Sequence, residues 1–196
     1  LATYARYARR PVMLYAMMCA YVSAVPFTLS ASFYPILFAE RGFASEANGL
    51  LVSLRGVGAV ICGLALARFI QRIDQVRTPF VASAITGAMI AASAWFGGAL
   101  AIGAVVLALG LFSTIVTTYF QVLVAGVSSP TERGQAMALG GLGWSLSHIG
   151  TPLLMGVLKD RLGITEGFYA FGLAIVVWGL MLIPVQRWAF AGGTPR

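Results

Sequence analysis

The chain has 196 residues, of which 59% are hydrophobic and 10% charged, and its formal net charge is +7. Soluble domains carry about 25% charged residues, so too little polar surface is available to cover a water-soluble globule, and mean hydropathy is +0.88. The basic excess does not point to nucleic acid, because the arginines stand at the ends of apolar runs and not together on one face.

In chain order, Leu1 to Arg10 is a basic lead-in without an initiator Met or a secretory signal, as expected of a fragment of something longer. Pro11 suits a first helical position. The first predicted span, 11–39, contains Pro26 and Pro35, with Ser23, Thr28, Ser30 and Ser32 placed to compensate a kink. The second, 46–70, is apolar except for Arg55 and flips to Arg68, Arg72 and Arg77 at its end. Thr78-Pro79 opens the third (78–96), and Gly97-Gly98 turns the chain into the fourth (99–127). Glu132 follows Ser129 and Thr131 as a helix-start signal for the fifth (132–158), which closes on Lys159-Asp160-Arg161. The sixth (166–186) exits at Gln186-Arg187-Trp188. Each run is long enough to cross a bilayer, which takes about 20 residues. The fold class is therefore all-α, a polytopic membrane protein with six transmembrane helices and the lipid bilayer as its solvent.

Charge asymmetry gives orientation. Arg6, Arg9, Arg10, Arg68, Arg72, Arg77, Arg133, Arg187 and Arg196 fall on one side, against Arg41, Lys159 and Arg161 on the other. Both termini of the segment are then expected in the cytoplasm, in a cell inner (plasma) membrane. Gly63-Leu64-Ala65-Leu66-Ala67-Arg68 also parallels Gly156-Val157-Leu158-Lys159-Asp160-Arg161, an echo between two triplets of spans. Inverted triplets of this kind build many secondary transporters.

Arg55 is the sharpest chemical signal. It lies about 13 Å into its helix at 1.5 Å per residue, where a charge facing hydrocarbon is costly. It reads either as an anion-recognition or gating group or as an arginine snorkelling outward. Asn48 shares its face, seven residues away. Thr114, Thr117, Thr118 and Gln121 form a polar stripe that could line a pathway or bond its own backbone. His148, one turn after Trp144, could relay protons or hydrogen-bond at a helix contact. No acid lies inside a span. Gly56-Val57-Gly58 lacks the preceding strand of a dinucleotide loop, Cys19 and Cys62 read as small hydrophobes, and no metal-ligand spacing, cofactor motif or catalytic triad is present. An enzyme is not expected.

Gly63-Leu64-Ala65-Leu66-Ala67-Arg68-Phe69-Ile70-Gln71-Arg72 resembles the second-half copy of the cytoplasmic motif of the major facilitator superfamily, Gly-x-Leu-Ala-Asp-Arg-x-Gly-Arg-Arg. Gly63, Arg68 and Arg72 match, whereas Ala67 replaces the aspartate and Ile70 the glycine. Pro130 to Ala136 and Gly150 to Gly156 resemble the tenth-to-eleventh connection and the eleventh helix. The resemblance spans nearly the whole chain. It implies the C-terminal six-helix half of a transporter, a 3+3 inverted-repeat bundle that works with an N-terminal half not contained in this chain. It further implies that the first, second, fourth and fifth segments border a central cavity, with Arg55, Asn48, Thr117, Gln121, Trp144 and His148 toward a small-molecule substrate. The expected function is secondary active transport of a polar or anionic organic solute by alternating access. The alternative is a non-transporting receptor or scaffold built on a degenerate half.

Overall fold

The computed structural model describes residues 2–69, 74 and 76–191. Ile70 and Arg72 of the motif-like stretch, and Arg196, lie outside the described residues. Among the described residues nine α-helices follow one another: α1 (Ala2–Ala8), α2 (Pro11–Ser32), α3 (Tyr34–Glu40), α4 (Ser45–Phe69), α5 (Thr78–Trp95), α6 (Ala99–Val127), α7 (Arg133–Gly140), α8 (Leu142–Leu162) and α9 (Ile164–Ala189).

Two apolar runs that read as single segments are each a pair of helices. Pro35 has no N–H and its ring crowds the preceding turn, so α2 ends at Ser32 and α3 restarts at Tyr34, hinged on Phe33. Gly42, at φ +79°, then ends α3. Its N–H donates to the Ala39 carbonyl at 3.0 Å and that of Phe43 to Phe38 at 3.1 Å, a glycine cap that only a left-handed residue permits. The second break falls between α7 and α8 at Gly141, whose carbonyl accepts from Trp144 N–H at 3.0 Å, a tighter turn than the α-helix makes. Gly163, at φ +95°, is the entire link between α8 and α9.

Helices α2, α4, α5, α6 and α9 are each long and apolar enough to cross a membrane. Helix α8 is more polar, with Ser145, Ser147, His148, Thr151 and a charged last turn, and together with α7 it makes up the fifth segment. The protein is an all-α membrane bundle. Its principal pairs are α5 with α9, α4 with α6 and α8 with α2. Exchanging the first three segments for the last three turns the α4–α6 pair into α8–α2 and maps α5–α9 onto itself. The helix pairing thus has the exchange symmetry that the echo between the two triplets implies.

Glycine makes these pairs close. Lipid tails are as apolar as leucine, so membrane helices associate through tight backbone approach at small residues. A Cβ at Gly87 would stand 2.5 Å from Val176 N and 2.7 Å from Gly172 O, which seals α5 on α9. One at Gly110 would overlap the Arg55 carbonyl, and one at Gly143 the Met17 carbonyl, which does the same for α6 on α4 and α8 on α2. Helix α2 is central and buried along most of its length. Its hydroxyls spend their hydrogen bonds on their own helix: Ser23 to Ala20 O, Thr28 to Ala24 O and Ser30 to Pro26 O.

Polar ties close both ends of the bundle. At one end, Arg41 donates from both terminal nitrogens to the Ser93, Ala94 and Phe96 carbonyls, satisfying the last turn of α5. At the other, Arg6 of α1 pairs with Glu132, which also accepts from Tyr7 OH and Ser129 Oγ at 3.1 Å each. Partial burial opposes ionisation of Glu132, but the hydrogen bonds from Arg6, Ser129 and Tyr7 outweigh it and hold the carboxyl below its usual value.

Candidate functional site

Arg55 sits ten residues into α4, about 15 Å from the start of the helix at 1.5 Å per residue. Its register is locked from behind, because α6 presses Gly110 against the Arg55 carbonyl. The side chain leaves this contact half-buried and places its guanidinium carbon 5.0 Å from the centre of the Phe27 ring on α2. That is cation–π geometry. Its Nε is buried without a hydrogen-bond partner among the described residues, and no carboxylate stands near enough to form an ion pair with it.

Phe27 continues into a second aromatic group. Its ring lies 5.5 Å from His148 and 6.2 Å from Trp144, both on α8, and Trp144 and His148 stack on each other at 5.5 Å with 28° between planes. Each ring is pinned. Trp144 Nε1 donates to Ser23 Oγ at 2.9 Å, while His148 Nδ1 lies 2.8 Å from the Trp144 carbonyl. A carbonyl only accepts, so Nδ1 carries the proton in this contact and Nε2 is left toward the open face. Phe27 and His148 are exposed on that face and Trp144 is half-buried. Three helices therefore deliver one cation and three flat rings to a single open surface.

The other expected site residues lie apart from this group. Asn48 is two turns from Arg55, about 10 Å along α4. Its Oδ1 is buried without a partner among the described residues, and it lines a separate recess of about 350 Å³ with Pro35, Ser45, Gly49 and Val52. Thr117 is half-buried and donates to the Ser113 carbonyl at 2.9 Å, the self-satisfied arrangement common for hydroxyls in membrane helices. Gln121 is exposed one turn further along α6, toward the basic end of the bundle. Gly63 and Arg68 are exposed near the end of α4.

Phe27 is the residue that sequence reasoning missed. It stands in an apolar run like any other phenylalanine of the chain, and only its position after Pro26, where the ladder of α2 loses a donor, marked the region. Ser23 stands in the sequence as a kink-compensating hydroxyl. It is also the anchor of Trp144.

A family model described as Major Facilitator Superfamily matches residues 7–189, almost the whole chain. No curated protein matches it.

Proposed function

The chain belongs to the major facilitator superfamily, a family of membrane transporters and not enzymes, and from that premise we propose that it is one half of a secondary transporter that moves a small polar or anionic organic solute by alternating access. The observation that carries the anionic reading is Arg55: a guanidinium within the bundle, seated on Phe27, with no acid to neutralise it among the described residues. An anionic solute would supply the missing counter-charge through paired, charge-assisted hydrogen bonds.

Apolar rows flank this surface. Leu50, Val57, Ile61 and Leu64 on α4, and Leu146, Ile149, Leu153 and Val157 on α8, are exposed at helical spacing. These rows support a second six-helix bundle docked across the face, rocking against this one and opening the Arg55 site to each side in turn. The arginine distribution supports both termini of this segment in the cytoplasm.

Uptake into vesicles containing the full-length protein tests the reading, with labelled organic anions, neutral polyols and amines offered with and without a pH gradient. Arg55→Gln is expected to reduce anion uptake about tenfold or more, as loss of a charge-assisted pair implies. Unchanged uptake of every transported solute would refute the anion site. Ala67, where the family motif has aspartate, favours a second reading as a non-transporting receptor or scaffold. Failure of the unaltered protein to move any solute would support that one.

A further inference from the structure

The geometry points to a narrower ligand class for the same site, resting on the anionic reading of Arg55: a planar aromatic carboxylate, its carboxylate on the guanidinium and its ring against the Phe27–His148–Trp144 wall. The charge side of this inference is the six acids of the chain, Glu40, Glu46, Asp74, Glu132, Asp160 and Glu166, all of which lie in loops or at helix ends. None is placed to neutralise Arg55, whose Nε is buried and unpartnered among the described residues. A cationic solute would be repelled there.

The wall decides what kind of anion fits. Trp144 Nε1 is taken by Ser23 and His148 Nδ1 by the Trp144 carbonyl. Apart from Arg55, the only side-chain polar atom the wall presents is then His148 Nε2. A polyol or sugar acid would leave most of its hydroxyls unpaired against the rings, and unpaired polar groups are costly on desolvation. The rings themselves offer faces. Phe27 is 43% exposed, so its ring is open to contact although Arg55 covers part of it. Stacked or edge-on aromatic pairs gain beyond the area they bury. A guanidinium binds a carboxylate in one plane through paired N–H donors, and an aromatic carboxylate extends that plane rigidly into its ring. The body of the ligand is thereby aimed along the wall with few rotors to immobilise. His148 Nε2 is positioned to contact an oxygen of the ligand or a ring substituent.

The test uses the full-length protein in lipid nanodiscs, with labelled benzoate as the probe and cyclohexanecarboxylate, its saturated counterpart of similar size and equal charge, as competitor. Benzoate is expected to bind about tenfold more tightly, the scale of one or two aromatic contacts. Phe27→Leu should bring the two affinities close to each other while leaving cyclohexanecarboxylate within about threefold of its original value, and Phe27→Tyr should restore the preference. Arg55→Gln should abolish binding of both. Each variant is checked for the same elution volume and helical content as the parent. Equal affinities in the unaltered protein, absence of displaceable benzoate binding, or a preference that survives Phe27→Leu would overturn the aromatic inference. If Arg55-dependent uptake of non-aromatic anions persists alongside such a result, the transporter reading stands and only this inference falls. Benzoate binding unaffected by Arg55→Gln removes both.

Discussion

Gly110→Ala tests whether the α4–α6 contact sets the position of Arg55. The added methyl would overlap the Arg55 carbonyl oxygen and stand 3.0 Å from Ala59 N. Both are backbone atoms, so no rotamer change relieves the overlap and the two helices must part or rotate. Overpacking of this kind costs about 1–3 kcal/mol, partly offset by the roughly 1 kcal/mol by which alanine exceeds glycine in helix propensity. A net loss of about 1–2 kcal/mol in a chain of this size lowers Tm by about 2–8 °C. Cys19 and Cys62 are both buried free thiols, so a thiol-reactive dye followed during heating in detergent reports the transition directly. Gly63→Ala is the internal control. It adds a methyl to the same helix at a site with nothing within 4 Å, and propensity alone should hold or raise Tm there. Equal shifts at the two positions, or a Gly110→Ala protein as stable as the parent, would refute the assignment of register to this contact.

Arg41→Ala should strip the last turn of α5 of its three side-chain donors and lower Tm by several degrees in the same assay, since hydrogen bonds to charged groups are worth about 1.5–3 kcal/mol before solvent screening is discounted. Glu132 makes the tie between α1 and the α6–α7 junction pH-dependent. Its pKa is lower folded than unfolded, so the stability it contributes is complete above the ordinary value of 4.5 and is lost as pH falls through the folded value. Amide-exchange protection of residues 2–8, corrected for intrinsic rates, should therefore decline on acidification below pH 4.5, and Glu132→Gln should show the low-pH behaviour at every pH.

What could be read from the sequence is what depends on local composition. The apolar runs, the arginines at their ends and the worn motif at Gly63 and Arg68 all follow from counting residue types along the chain, and they lead to a membrane bundle and to its family. The two interrupted segments show where such counting stops. Pro35 and Gly140-Gly141 were visible, but a hydropathy run stays continuous across them, whereas a hydrogen-bond ladder does not. The functional weight of glycines was less legible still. Gly63 belongs to the motif-like stretch yet meets nothing within 4 Å among the described residues, while Gly87, Gly110 and Gly143 touch the backbone of helices remote in sequence. The site followed the same rule. Arg55, Trp144 and His148 announced themselves by chemistry. Asn48 shares a face with Arg55 by periodicity alone, and its distance along the helix separates them. Phe27 had no chemical mark, because its role arises from what α4 and α8 bring to it.

The symmetric pairing of helices supplies a physical reason why these groups meet. The same contact occurs twice: a glycine on the second helix of one triplet lies against a carbonyl on the first helix of the other, Gly58 on Leu107 O and Gly143 on Met17 O. Each contact holds one arm of the site. Arg55 is one turn before Gly58 on α4, and Trp144 is the residue after Gly143 on α8, so a close backbone approach fixes the depth and rotation of each. Symmetry thus builds the frame, and sequence breaks the symmetry inside it. By the echo that sets Gly63 against Gly156, the position corresponding to Arg55 in the other triplet is His148. One arm carries a cation and the other carries rings, and α2, buried at the centre, holds Phe27 where both can reach it. An arrangement with a charge on one side and a flat wall on the other is polar across the site itself. That polarity would orient a ligand with unlike ends, which neither a symmetric ring of charges nor a uniformly aromatic groove would do.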